Sequence, residues 1–185
     1  MPPPPRLPLM DDAAVRRALA RMAREIVERN GGIDGLVLMG IRRRGDVLAA
    51  LLRDEIARAE GRPPPTGALD ITLYRDDLAE VGPRPVIGET HLPPDGIEGS
   101  TVVIVDDVLY TGRTVRAALN ELMDWGRPAR VLLCVLAERD GRELPIQADI
   151  VGRRVDVPGE QRVEVLVPDH DDRLGVDLVQ PEAPA

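Results

Sequence analysis

Thr101-Val102-Val103-Ile104-Val105 is an unbroken, largely β-branched run that passes directly into Asp106-Asp107-Val108-Leu109-Tyr110-Thr111-Gly112-Arg113-Thr114. A strand with one wet face alternates apolar and polar residues. One that is apolar throughout is covered on both faces, which describes a central strand of a parallel sheet. Beyond the polar loop, Val115, Ala118, Leu119, Leu122 and Met123 recur at helical spacing and stop at Gly126. Strand, polar loop and helix in that order make the start of a βα unit, and the feature restricts the chain to an α/β fold.

The rest of the chain fits that restriction. Asp11 or Asp12 can cap a helix whose apolar face is Val15, Leu19, Met22 and Ile26, and Asn30-Gly31-Gly32 ends it. Gly35 to Gly40 reads as a short buried strand, and a helix from about Asp46 follows with Val47, Leu48, Leu51, Leu52 and Ile56 on one side. Gly61-Arg62-Pro63-Pro64-Pro65 breaks the chain before a strand over Ala68 to Tyr74. Further strands are expected at Arg130 to Leu136, Ala148 to Val151, Val163 to Val167 and Val176 to Val179. The expectation is a mostly parallel central sheet flanked by helices, one domain over residues 1–185, with frayed proline-rich ends at 1–8 and 180–185. The stretch from Arg75 to Asp95, rich in Pro and Gly, is a long excursion of the kind that serves as a lid.

Composition removes several chemistries. All 24 basic residues are arginine, so neither a P-loop lysine nor a Schiff-base amine can be supplied. Ser100 is the only serine and stands outside a nucleophile-elbow pattern. With Cys134 as the sole cysteine and His91 and His170 as the only histidines, there is no internal disulfide and no Cys/His zinc cage. The net charge of -8 gives no overall electrostatic footprint for nucleic acid, so RNA contact would need a local patch. No stretch reads as a membrane span or a secretory signal, and a cytoplasmic protein is expected. What remains is chemistry by carboxylates, arginines, backbone amides and a hard metal.

Ligands of open α/β sheets sit beyond the carboxyl ends of the strands, which is where Asp106 to Thr114 fall. Thr111, Gly112, Arg113 and Thr114 offer two hydroxyls, a glycine open to close approach and the amides of a helix start, a cup for phosphate. Asp106 and Asp107 stand just upstream, able to hold a sugar diol. The plain alternative is a polar strand-to-helix turn.

The length of the pattern separates the two. Val102 to Thr114 resembles the phosphoribosyl pyrophosphate signature of the type I phosphoribosyltransferases. Ile71-Thr72-Leu73-Tyr74-Arg75-Asp76-Asp77-Leu78, Arg142-Glu143-Leu144-Pro145-Ile146, Ala148-Asp149 and Val151-Gly152 look like the PyrR family of pyrimidine-operon regulators that are also uracil phosphoribosyltransferases. The likeness runs from the first helix to about Gly152. It implies catalysis by Asp106 and Asp107, and contacts to phosphoribosyl pyrophosphate or UMP from these two and from Val108 through Thr114. It also implies a pyrophosphate loop at Gly40-Ile41-Arg42-Arg43-Arg44-Gly45, with Arg43 and Arg44 as contacts, help from Arg75, and a base bordered by Arg139 and Val151. Mg2+ is implied as cofactor, held by substrate oxygens. Uracil, leader mRNA of pyrimidine genes and a homodimer or larger homo-oligomer are the implied partners.

Three features of this chain depart from the pattern. Arg43 stands where threonine is usual, Arg139-Asp140-Gly141-Arg142 lacks a histidine, and Arg154-Val155-Asp156-Val157-Pro158 lacks Thr-Ser. Tyr110 occupies the place of the aspartate that purine-type members carry, which points to a pyrimidine base. The arginines Arg16, Arg17, Arg21, Arg24, Arg142, Arg153 and Arg154 could form a patch for RNA, or a solvated face paired with acids. An orotate-type transferase and a non-catalytic nucleotide sensor stay open as alternatives.

Overall fold

The computed structural model describes residues 4–76, 88–157 and 161–181. Strands β1 (Arg6–Met10), β2 (Leu36–Ile41), β3 (Thr66–Leu69), β4 (Thr101–Leu109), β5 (Arg130–Arg139), β6 (Ile150–Val155), β7 (Arg162–Leu166) and β8 (Gly175–Val179) alternate with helices α1 (Asp12–Asn30), α2 (Arg44–Glu60), α3 (Arg113–Trp125) and α4 (Pro168–Asp171). Five strands make a parallel sheet in the order β3-β2-β4-β5-β6, with β4 at its centre as its apolar run requires.

Local chemistry sets the helix limits. The Asp11 carboxylate accepts the Ala14 amide at 2.7 Å, and Gly31, at φ 74°, closes α1 in the left-handed conformation that glycine adopts without strain. The helices then bury their stripes on opposite faces of the sheet. Leu19, Met22 and Ile26 of α1 and Leu48, Leu52 and Ile56 of α2 pack with Val103 and Val105. Val115, Ala118 and Leu122 of α3 pack with Val102, Ile104 and Val135 on the other face. Each such fully buried aliphatic side chain stabilises the fold by about 2 kcal/mol before entropy is counted.

The structure corrects the expectations at four places. Residues 6–8, expected to fray, belong to β1, which pairs antiparallel with β8. Strands β7 and β8 do not extend the parallel sheet; with β1 they form a separate antiparallel sheet in the order β1-β8-β7. The strand expected over Ala68 to Tyr74 ends at Leu69, and Thr72–Tyr74 make a short 3-10 turn. Finally β4 runs to Leu109, so Asp106 and Asp107 lie in a strand rather than in the loop after it. Of the excursion expected from Arg75 to Asp95, residues 77–87 lie outside the described residues.

The second sheet stands at the carboxyl end of the first, because β7 packs on β4 and β5. The guanidinium of Arg139, the last residue of β5, donates to the Gln161 carbonyl at 2.6 Å just before β7. The ends of β2, β4 and β5 therefore open beneath a second layer of structure.

Candidate active site

Two glycines bring the loop after β2 against the end of β4. A Cβ on Gly40 would lie 2.4 Å from the Asp46 Cα, and one on Gly45 would lie 2.4 Å from the Val105 carbonyl oxygen. Only hydrogen fits at either place, so the start of α2 is seated beside Val105 and Asp106. Neither Arg43 nor Gly112, the residues that precede α2 and α3, caps its helix with a side chain; on the first turns Asp46 accepts the Val47 amide at 2.9 Å and Thr111 Oγ1 the Arg113 amide at 3.3 Å. Both helices still direct the positive end of their dipoles to the side where the parallel strands end.

Asp106 is 5% exposed. Its Oδ1 accepts the Asp107 amide at 2.9 Å, while Oδ2 is buried without a hydrogen-bond partner. Burial and the neighbouring Asp107 charge hold the Asp106 carboxyl well above the usual carboxylate range, against the Asp107 amide. Burial also raises Asp107, opposed by the Val108 amide at 2.7 Å, by Asp106 and by the nearby Arg44 guanidinium. A buried acid with an unused oxygen is costly, and such a group persists where a ligand completes it.

After β4 the chain turns through Tyr110, Thr111 and Gly112, the last at φ 94° where a side chain would be strained. Leu109 is buried and Val108 half-buried, whereas Tyr110, Arg113 and Thr114 are exposed. The Thr111 carbonyl accepts the amides of Glu143 at 3.0 Å and Leu144 at 3.1 Å, which ties the turn to the segment after β5. Arg113 turns outward, its guanidinium on Asp76 at 2.7 Å and Glu143 at 2.8 Å.

Arg139 lies over the Tyr110 ring, and Gly141 meets the ring edge so closely that a Cβ there would stand 2.3 Å from Cε2. Arg142 donates to the Tyr110 carbonyl and to Glu138 at 2.9 Å. The end of β5 and the end of β4 are thereby joined around one aromatic ring. Val151 is not part of that cluster. It lies in β6 paired with Val135 of β5, four residues before the Val155 that pairs with Arg139, hence about 13 Å along the strand, and its carbonyl accepts Arg21 Nη2 at 2.9 Å.

Arg43 is exposed and Arg44 half-buried at the start of α2. Arg44 Nη2 reaches Asp171 of α4 at 3.2 Å and Glu164 of β7 at 3.9 Å. Arg75 is exposed, just beyond the 3-10 turn. The partners of the arginines, namely Asp171, Glu164, Glu143, Asp76 and Glu138, carry no local signal in the sequence, since most lie tens of residues away.

The family model of the phosphoribosyl transferase domain matches residues 9–171. The chain belongs to this family. It is 54% identical over 163 residues to a bifunctional protein PyrR of Herpetosiphon aurantiacus, covering 88% of this chain and 90% of that protein. It is 52% identical over 174 residues to a bifunctional protein PyrR of Thermus thermophilus, covering 94% and 96%. A PyrR of Listeria monocytogenes matches at 52% over 166 residues, 88% of this chain and 90% of the other. Identity at that level over most of both chains places the protein within the PyrR group of phosphoribosyltransferases, glycosyl-transferring enzymes by class. The fold is shared more widely. A hypoxanthine phosphoribosyltransferase of Trypanosoma cruzi superposes with TM-score 0.69 at 21% identity, covering 95% of this chain and 97% of that one. One from Staphylococcus aureus gives 0.68 at 17%, covering 95% and 93%. Among the described residues, no helix is long and apolar enough to cross a membrane.

Proposed function

We propose that the protein transfers the phosphoribosyl group of phosphoribosyl pyrophosphate to uracil, giving UMP and pyrophosphate, and that the same site senses UMP for an RNA-binding role in pyrimidine gene expression. The observation that carries the catalytic half is the adjacent carboxylates of Asp106, buried, and Asp107, half-buried, with Asp106 Oδ2 unpartnered on the strand that leads into the start of α3. A ribose diol supplies the hydroxyl protons that such carboxylates lack, and the amides after Gly112 suit the 5-phosphate.

Breaking the bond at ribose C1 leaves positive charge on the sugar and negative charge on the departing pyrophosphate. The charge of Asp107 opposes the first, and the amides at the start of α2 with the Arg44 guanidinium oppose the second. Among the described residues no cluster of three metal-binding side chains exists. The hard oxygens of Asp106 and Asp107 fit Mg2+ that is held mainly by the substrate's own oxygens; when bound, it would supply neutralisation of the leaving group. With no nucleophile in the site, positioning carries the rate. Tyr110, clasped by Arg139 and Gly141, offers an uncharged face to the base, which favours a pyrimidine over a purine.

The RNA half rests on where the arginines gather. Arg21 of α1 donates to the Val151 and Gly152 carbonyls of β6. Beside it on β6, Arg153 holds the Leu9 carbonyl at 2.6 Å, and Arg154 shares Glu138 with Arg142. Arginines far apart in sequence thus meet along the β6 edge, in a chain whose net charge is -8. Such a patch gives binding that weakens steeply with salt.

Pyrophosphate release is the deciding measurement, with phosphoribosyl pyrophosphate and Mg2+ and with uracil, orotate, hypoxanthine or no base. Release with uracil alone is expected. Release with orotate alone would assign the other pyrimidine reaction, and none with any base would leave the sensor without the catalysis. For the RNA role, retention of pyrimidine leader RNA should require UMP and fall with salt; UMP-independent retention overturns it.

A further inference from the structure

Arg44 is separated from Asp171 by 127 residues, yet Asp171 Oδ1 and Oδ2 lie 3.2 and 3.3 Å from its Nη2. The contact is not isolated. His170, the residue before, has Nε2 at 3.3 Å from the Arg43 carbonyl, and Glu164 reaches Arg44 at 3.9 Å. The corner of the second sheet formed by α4 therefore grips the loop between β2 and α2 at two successive residues. Asp171 is itself fixed, since its Oδ2 accepts the Val167 amide at 3.0 Å. Glu164 is braced from behind by Arg6 at 2.6 Å, and Arg173 holds the buried Asp177 alongside at 2.5 Å.

An arginine with four side-chain torsions loses much of its rotamer freedom when it is fixed on a ligand. A carboxylate that already holds one of its terminal nitrogens removes part of that loss, and leaves the other nitrogens to meet an anion. Gly45, the residue after Arg44, is seated against the Val105 carbonyl and the Cα of Asp106, so Arg44 lies between the second sheet and the end of β4 that carries the acidic pair. From this geometry we infer that Asp171 is a positioning residue, which aims Arg44 at the pyrophosphate of the donor substrate and makes the second sheet part of the leaving-group site.

The inference rests on the phosphoribosyl transfer proposed above. Asp171→Asn is the informative variant, because an asparagine oxygen can still accept the Val167 amide while the charge facing Arg44 is gone. Since Arg44 grips the pyrophosphate both before and during transfer, the loss should appear as uniform binding: KM for phosphoribosyl pyrophosphate raised about five- to tenfold, kcat within about twofold. The inhibition constant of product pyrophosphate should rise in parallel, while KM for uracil stays in place. Asp171→Glu should recover part of the affinity. Added to Arg44→Gln, which removes the guanidinium charge, Asp171→Asn should cost nothing further, because the two act through one contact.

An unchanged KM in an Asp171→Asn protein of wild-type thermal stability overturns the inference. So does a lowered KM, which would make Asp171 a competitor of the substrate for Arg44. Equal losses in kcat and in KM for both substrates would mark a merely structural role and overturn it too. If wild-type protein itself releases no pyrophosphate, the transferase reading fails first, and binding of inorganic pyrophosphate to wild type and Asp171→Asn still tests the Arg44 contact on its own.

Discussion

The Arg139 guanidinium carbon stands 4.0 Å above the centre of the Tyr110 ring, linking the last residue of β5 to the first residue after β4. Such a contact contributes about 0.5–1 kcal/mol at a partly exposed ring. Replacing Arg139 by alanine frees a ring that is 44% exposed and removes the donor to Gln161. KM for uracil should rise about threefold to tenfold in Arg139→Ala, with KM for phosphoribosyl pyrophosphate little changed. Steady-state kinetics with each substrate varied in turn is the check.

Asp107→Asn should keep the fold and lose turnover. The amide can still accept the Val108 amide that the carboxylate now accepts at 2.7 Å. What disappears is the negative charge facing the ribose as C1 becomes positive, an interaction made mainly in the transition state, so kcat should fall about a hundredfold or more. Circular dichroism matching wild type, beside single-turnover rates, separates loss of chemistry from loss of structure.

Asp106 works in the opposite sense on stability. Its folded pKa is raised by burial and by Asp107, so protonated Asp106 is favoured in the folded state. That contribution is present below the unfolded value of about 3.9 and is lost as pH rises through the raised folded value. Asp106→Asn should therefore melt higher than wild type at pH 8, by about 3 °C, and the two should converge near pH 4. A variant that melts lower than wild type at pH 8 would contradict the burial argument.

Gly45→Ala should do more damage than its single methyl suggests. The Cβ would stand 2.4 Å from a backbone oxygen that belongs to the central strand and cannot turn aside. Moving the start of α2 away from β4 should cost about 2 kcal/mol and displace Arg44 with it. Denaturant unfolding gives the first quantity and KM for phosphoribosyl pyrophosphate the second.

Cys134 is fully buried in β5, and burial pushes its thiol far above the usual range. Thiol reagents act on the thiolate, so the native protein should resist alkylation near neutral pH and react once denatured. Mass spectrometry before and after addition of guanidinium chloride distinguishes the two.

The fold is legible in the amino-acid sequence where physics acts over short distances. The run Thr101 to Val105 announces a strand covered on both faces, and Asp11 with Gly31 brackets α1 by local hydrogen bonds and backbone preference. It is least legible where partners are distant. Arg6 pairs with Val179, and nothing near either residue tells a strand of the main sheet from a strand of a second one. The same blindness hid the grip of Asp171 on Arg44. Asp106 lies in β4 against its local preference for another reason: carboxylates are depleted in strands, so an acidic pair reads as a turn unless a ligand-binding role outweighs that preference.

Strand β1 precedes every strand of the parallel sheet in sequence, and its partner β8 follows them all. During synthesis at about 5–20 residues per second, Met10 would wait on the order of ten to thirty seconds for the strand that covers it. The loops at the ends of β2, β4 and β5 can thus exist before the layer above them does. Synthesis of β8, rather than of the last strand of the central sheet, is the event that completes the layer over those loops.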